Sequence, residues 1–132
     1  MKKHLEVVGA VIVRDGSVLC AQRGTGLLAG MWEFPGGKVE NGESPRAALA
    51  REILEELNCH VSVGDEVTST THEYEFAVVS LTTYYCELTE GVPEVSEHEA
   101  LAWLLPGEFQ SVEWAPADIP AVELIQHKFV SR

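Results

Sequence analysis

The stretch that most constrains this chain runs from Gly37 to Cys59. Gly36 and Gly37 follow Phe34-Pro35, and Gly42 leads into Glu43-Ser44-Pro45. Glycines this dense make a turn, and Ser44 with Pro45 makes a helix start, serine as N-cap and proline at the first helical position. At 100° per residue, Leu49, Ala50, Ile53, Leu54 and Leu57 then share one face. Glu52, Glu55 and Glu56 share the opposite one. Asn58 suits the left-handed residue that ends a helix. Any fold that accepts this stretch buries the apolar face and leaves three carboxylates open.

Like charges at i, i+3 and i+4 cost a few tenths of a kcal/mol per pair, roughly, unless something binds them. Three hard oxygen donors on one face suit Mg²⁺ or Mn²⁺. An acidic helix face on its own is ordinarily just solvated. The glycine turn in front distinguishes this one, because glycine lets backbone approach a ligand closely.

The remainder supplies strands and one more helix. Leu5 to Val13 is rich in Val and Ile and reads as a buried strand; Asp15-Gly16 turns it into a second strand, Ser17 to Arg23. Small residues from Gly24 to Gly30 form a loop, and Met31 to Phe34 is a short strand. Cys59 to Val67 alternates like an edge strand, and Thr68 to Glu73 continues it or starts its partner. Ala77 to Leu88 is a long β-branched and aromatic strand, Gly91 to Glu99 an acidic loop, and Leu101 to Leu105 a last strand. Gly107 to Ser111 suits a helical turn. Pro120 to Val130 closes the chain as a helix with Ala121, Leu124, Ile125 and Phe129 inward. Strands, helix, strands, helix is an α+β order, or a three-layer α-β-α sandwich around a mixed β-sheet. With 132 residues and no linker, the expectation is one domain spanning 1–132.

The net charge of −12 argues against duplex nucleic acid or an anionic membrane as partner. It leaves a nucleotide open, because a metal ion inverts the local field. Cys20, Cys59 and Cys86 lack metal-ligand spacing and read as small buried hydrophobes in a reducing compartment. Neither a signal peptide nor a membrane span is visible, so a cytoplasmic location is expected.

The glycine turn and acidic helix together resemble the signature of the Nudix hydrolases. Gly37, five residues, Glu43, seven residues, then Arg51-Glu52-Ile53-Leu54-Glu55-Glu56 and Cys59 stand in register. Asn58 departs from the family's glycine, a mild change at a left-handed position. Val7 to Arg23, Leu28 to Lys38, Glu97 to Trp103 and Ala115 to Pro120 extend the likeness to the MutT-like and CTP pyrophosphohydrolase branches.

The resemblance implies the three-layer Nudix sandwich and a Mg²⁺-dependent enzyme, with Mn²⁺ as substitute. It implies cleavage of a nucleoside triphosphate to monophosphate and pyrophosphate, in nucleotide-pool sanitation. Glu52, Glu55 and Glu56 would hold the ions, with a carbonyl from Gly36 or Gly37 beside them. Arg51 would orient a ligand through Glu55 or Glu43, and Glu43 is equally suited to the charge at a helix N-terminus. Arg23 and Lys38 would meet phosphate. Glu97 would join the metal site and is the first candidate for the base that activates water, ahead of Glu99 and Glu56, and Glu94 lies in the same acidic loop. His98 reads as structural or gating. Asp118 would read the base or cap the last helix, and Trp32 and Phe34 would stack on a base or fill the core.

An ionised Asp118 would suit guanine or 8-oxoguanine, which offer two adjacent donors, and a protonated one would suit cytosine. The same signature serves nucleoside diphosphate sugars and RNA 5′ ends, and the fold also serves non-catalytic binding modules. A monomer or homodimer is expected.

Overall fold

Alternating burial along the first strand sets the architecture. β1 (Lys3–Arg14) sends Val8, Ala10 and Ile12 to one face of the sheet and Val11 to the other, all essentially inaccessible to water. A strand buried on both faces is a central one, with a layer on each side. In the computed structural model, which describes residues 2–130, β1 pairs in parallel with β6 (Ala77–Glu90) from Lys3 to Ile12. It pairs antiparallel with β2 (Ser17–Arg23) and β4 (Gly36–Lys38). β3 (Trp32–Glu33) and β7 (His98–Leu104) both join β2, and β5 (His60–Glu73) lies at the edge beside β6. The sheet is mixed, as the order of elements implied.

The β1–β2 turn has Asp15 at φ 52° and Gly16 at φ 81°, the positive pair a tight hairpin requires. α1 (Pro45–Leu57) covers one face through Ala48, Leu49, Ile53 and Leu57, packed on Val8, Ala10, Ile12, Leu19 and Cys86. Burying each of the three larger side chains stabilises the fold by about 2 kcal/mol. α2 (Ile119–Val130) covers the other through Ala121, Val122 and Ile125, packed with Val11, Val18, Cys20, Phe109 and Trp114.

Three orientations differ from the sequence expectation. Leu54 is 41% exposed, because the buried stripe of α1 centres on Leu49, Ile53 and Leu57 and the next residue turns 100° away. Leu124 and Phe129 are also exposed, since Val122 takes the inward place beside Ala121 and Ile125. The cysteines behave as hydrophobes: all three are buried free thiols, and burial pushes Cys20 and Cys86 up to about 12.

Candidate active site

The caps of α1 form as the residues dictate. Ser44 Oγ accepts from the Ala47 N–H at 3.1 Å, and Asn58 sits left-handed at φ 55°, ψ 41°. The acidic loop then fastens onto the helix end. The Glu94 N–H donates to the Leu57 carbonyl at 2.9 Å, and Ser96 Oγ donates to the Glu56 carbonyl at 2.6 Å. Glu94 thereby serves the helix terminus. Glu97, three residues on, is carried to the same end of the helix as Glu56.

The two glycines are required for different reasons. A Cβ on Gly36 would overlap the Val8 carbonyl and Gly9, so β4 approaches β1 too closely for any side chain. A Cβ on Gly37 would overlap the Glu52 carboxyl. Gly37 is therefore the notch in which Glu52 lies.

Arg51 ties this region together. Its Nε and Nη2 grip Glu43 through both oxygens at 2.6 and 2.9 Å, and Nη2 also donates to the Lys38 carbonyl at 3.1 Å. Nη1 reaches Glu52 at 3.2 Å and Glu55 at 3.1 Å. These bonds hold Glu43 below the usual carboxylate range. Burial pushes Glu52 up, against the pull of Arg51. Burial pushes Glu56 up as well; His98 opposes this, while Glu52, Glu33 and Glu97 add to it.

Glu56 Oε1 is buried with no hydrogen-bond partner. An unpaired buried oxygen among like charges, beside the Glu52 carboxylate, is the donor set a hard cation satisfies. Among the described residues no three such side chains are already drawn together as a cage. Arg51 Nη1 bonds both Glu52 and Glu55, and Glu55 is largely exposed. The bidentate grip on Glu43 would hold Arg51 in place while an ion draws on the other two.

A cavity of about 280 Å³ joins this wall to the sequence-distant residues. Gly36, Gly37, Lys38 and Glu56 line it together with Arg23, Glu33, Phe34 and Asp118. A second cavity of about 160 Å³ is lined by Arg23, Glu33, Glu56, Glu97 and His98. Glu97 thus faces the site, and the exposed Glu99 is not among the lining residues.

Burial and pairing decide several roles that the sequence left open. Phe34 does not offer its ring to a ligand: it is 3% exposed and packs against Trp114 at 4.9 Å and Phe109 at 6.3 Å. Trp32 packs against the same cluster. Asp118 is no helix cap. It is buried and accepts from the Phe34 N–H at 3.0 Å. Burial pushes its carboxyl well above the usual range, Glu33 adding to this and the Phe34 N–H and Arg23 opposing it. Arg23 is paired, with Nη1 at 2.9 Å from Glu33.

Glu33, Tyr74 and Phe76 line the first cavity and were missed. A lone carboxylate in a short aromatic strand was a signal for Glu33. Two aromatics in a turn between strands were a signal for the others. Tyr74 is anchored by the Ala117 N–H at 2.9 Å and stacks on Phe76 at 4.9 Å and 17°.

The sequence matches the family described as the NUDIX domain over residues 7–124. The chain belongs to the Nudix hydrolase family. It is 44% identical over 122 residues to the CTP pyrophosphohydrolase of Escherichia coli (strain K12), covering 92% of this chain and 90% of that one. It is 30% identical over 128 residues to the 8-oxo-dGTP diphosphatase of the same organism, covering 92% and 95%. The solution structure of a protein described as DNA mismatch repair protein MutT, a Nudix hydrolase from methicillin-resistant Staphylococcus aureus 252, is 51% identical. It superimposes with a TM-score of 0.78, covering 97% of this chain and 99% of that one. Nudix hydrolases generally use divalent ions, usually Mg²⁺. No helix among the described residues is long and apolar enough to cross a membrane.

Proposed function

We propose that this protein is a Mg²⁺-dependent nucleoside triphosphate pyrophosphohydrolase that releases a nucleoside monophosphate and pyrophosphate. The observation that carries this reading is the single cavity lined both by Gly37, Lys38 and Glu56 and by Asp118, Glu33 and Phe76. The first group suits phosphates and the second a planar polar base. Glu52, Glu55 and Glu56 are the residues that would hold the ion, and the chemistry it supplies when bound is neutralisation of phosphate charge. Lys38 and Arg23 add positive charge to the same cavity. Glu97 and Glu56 are the acceptors for the proton of the attacking water. Arg51 keeps the helix carboxylates in place through Glu43.

The substrate class is an oxidised guanine or a cytidine nucleotide. Burial of Asp118 favours its acid form, which donates and accepts at once. That pattern meets the N3 and 4-amino group of cytosine, whereas an ionised carboxylate meets the two donors of guanine. The relatives named for CTP and for 8-oxo-dGTP support the same two choices.

The test is a panel of 8-oxo-dGTP, dGTP, CTP, dCTP and 5-methyl-dCTP in Mg²⁺, with pyrophosphate and orthophosphate separated. Pyrophosphate from one of these in preference to the rest is expected. Orthophosphate as the product, or no turnover of any of them, would overturn the proposal.

A further inference from the structure

Two parts of the site are joined by a residue that neither group includes. His98 opens β7, where the pairing with β2 slips: Gln22 stands opposite Ala100, but Arg23 stands opposite His98. Glu99 is the extra residue, and a bulge of this kind re-aims the side chains around it. Glu97 and Glu99 are exposed, while His98 between them is only 9% exposed. A histidine buried between two solvated glutamates is held there by partners.

One partner is Glu33. His98 Nε2 lies 3.1 Å from Glu33 Oε2, and Arg23 Nη1 lies 2.9 Å from Glu33 Oε1. Each oxygen of Glu33 is thus held by a different donor, from a different strand. A carboxylate that faces both cavities is fixed in one orientation. Since Glu33 only accepts, Nε2 carries the hydrogen. The other edge of the ring is unspent: His98 Nδ1 is buried without a partner, as are Arg23 Nε and Glu56 Oε1. All three residues line the second cavity.

We infer that His98 is a positioning residue that orients Glu33 for the base, so that base selection depends on the His98–Glu33 pair. This rests on the nucleotide reading above. Removing His98 leaves Glu33 held by Arg23 alone, free to swing, and selectivity is lost before chemistry. Glutamine places an amide N–H near the position of Nε2 and restores the hold; asparagine is too short to reach it.

The experiment compares His98→Ala, His98→Gln, Glu33→Gln and the His98→Ala/Glu33→Gln double variant on the nucleotide panel, with thermal unfolding as the check on folding. His98→Ala is expected to lower kcat/KM for the preferred nucleotide by about 10–100-fold, mostly through KM, and to shrink its preference over the other bases. His98→Gln should recover most of both, and His98→Ala should add less than about 2-fold in the Glu33→Gln background. Should His98→Ala not fold, His98→Gln against His98→Asn gives the same contrast. Equal losses on every nucleotide, no recovery by glutamine, or independent multiplying effects would overturn the inference. If the wild-type protein cleaves none of the panel, the reading above fails, and the histidine ¹⁵N spectrum of the ligand-free protein decides this one. An Nε2–H signal that moves in Glu33→Gln supports it, and an Nδ1–H tautomer, or an Nε2–H signal that does not move, overturns it.

Discussion

The helix wall and the strand wall of the cavity are built in opposite ways. Gly37, Lys38 and Glu56, which line the cavity, and Glu52 and Glu55 on the same helix come from one turn and one helix, and Arg51 bonds to four residues of the same stretch. Glu33, Tyr74, Phe76 and Asp118 come from a short strand, the turn after β5, and the turn before α2. Residues close in the chain supply the first, seated on β1 through Gly36, and the second is gathered from distant segments only once the sheet has closed. In the proposed reading the helix wall serves the phosphates and the strand wall serves the base. Substitutions should separate the two: changes on the helix stop turnover for every nucleotide, and changes on the base side alter which nucleotide is turned over.

Glu56→Gln tests the helix most severely. It removes one charge and leaves the shape, so kcat should fall by about 10²–10³-fold on every substrate while thermal unfolding stays close to wild type. Wild-type turnover would break the comparison outright.

The adjacent glycines sharpen it next. Gly37→Ala pushes into the Glu52 carboxyl, so activity and Mg²⁺ affinity should drop about 10–100-fold with a folded protein. Gly36→Ala pushes into the β1 backbone instead and should cost about 1–3 kcal/mol of stability, read by denaturant unfolding.

Asp118→Asn should act on choice of base, shifting the preference ratio by about 10-fold or more while pyrophosphate remains the product. It also has a pH signature. The raised carboxyl of folded Asp118 binds its proton more tightly than the unfolded chain does. The stability this contributes is complete below about pH 4 and is lost as pH rises through the folded value. Asp118→Asn has no such loss, so its unfolding temperature should gain on wild type as pH rises above about 4. A gap that does not widen would show that Asp118 is not held protonated.

The smallest effect is expected at Phe76, which is 42% exposed beside the cavity. Phe76→Ala should raise KM about 3–10-fold with kcat nearly unchanged, and Phe76→Tyr should restore it. Equal behaviour of Ala and Tyr would remove the ring from base binding.

Much of the helix could be read from residues alone, because its information is local. Ser44, Pro45 and Asn58 fix its ends, and the spacing of Glu52, Glu55 and Glu56 follows from 3.6 residues per turn. The sequence reading erred where a periodic pattern left a residue at the margin of a face. Leu54, Leu124 and Phe129 fit an apolar stripe yet sit outside the contact each helix makes. Phe34 shows the same limit in a strand: its alternation is legible, but only the sheet's closure decides that its ring meets Trp114 and Phe109.

Sequence by itself determined the family, the helix that carries the carboxylates, the glycine turn before it and the chemistry these support. Each depends on residues within a few turns of one another. Tertiary structure alone decided that Gly36 yields to β1 and Gly37 to Glu52, that Arg23 and His98 divide the oxygens of Glu33, and that Asp118 loses its water to the Phe34 backbone. Those facts depend on strand register and on burial, and both are set by contacts between segments far apart in the chain.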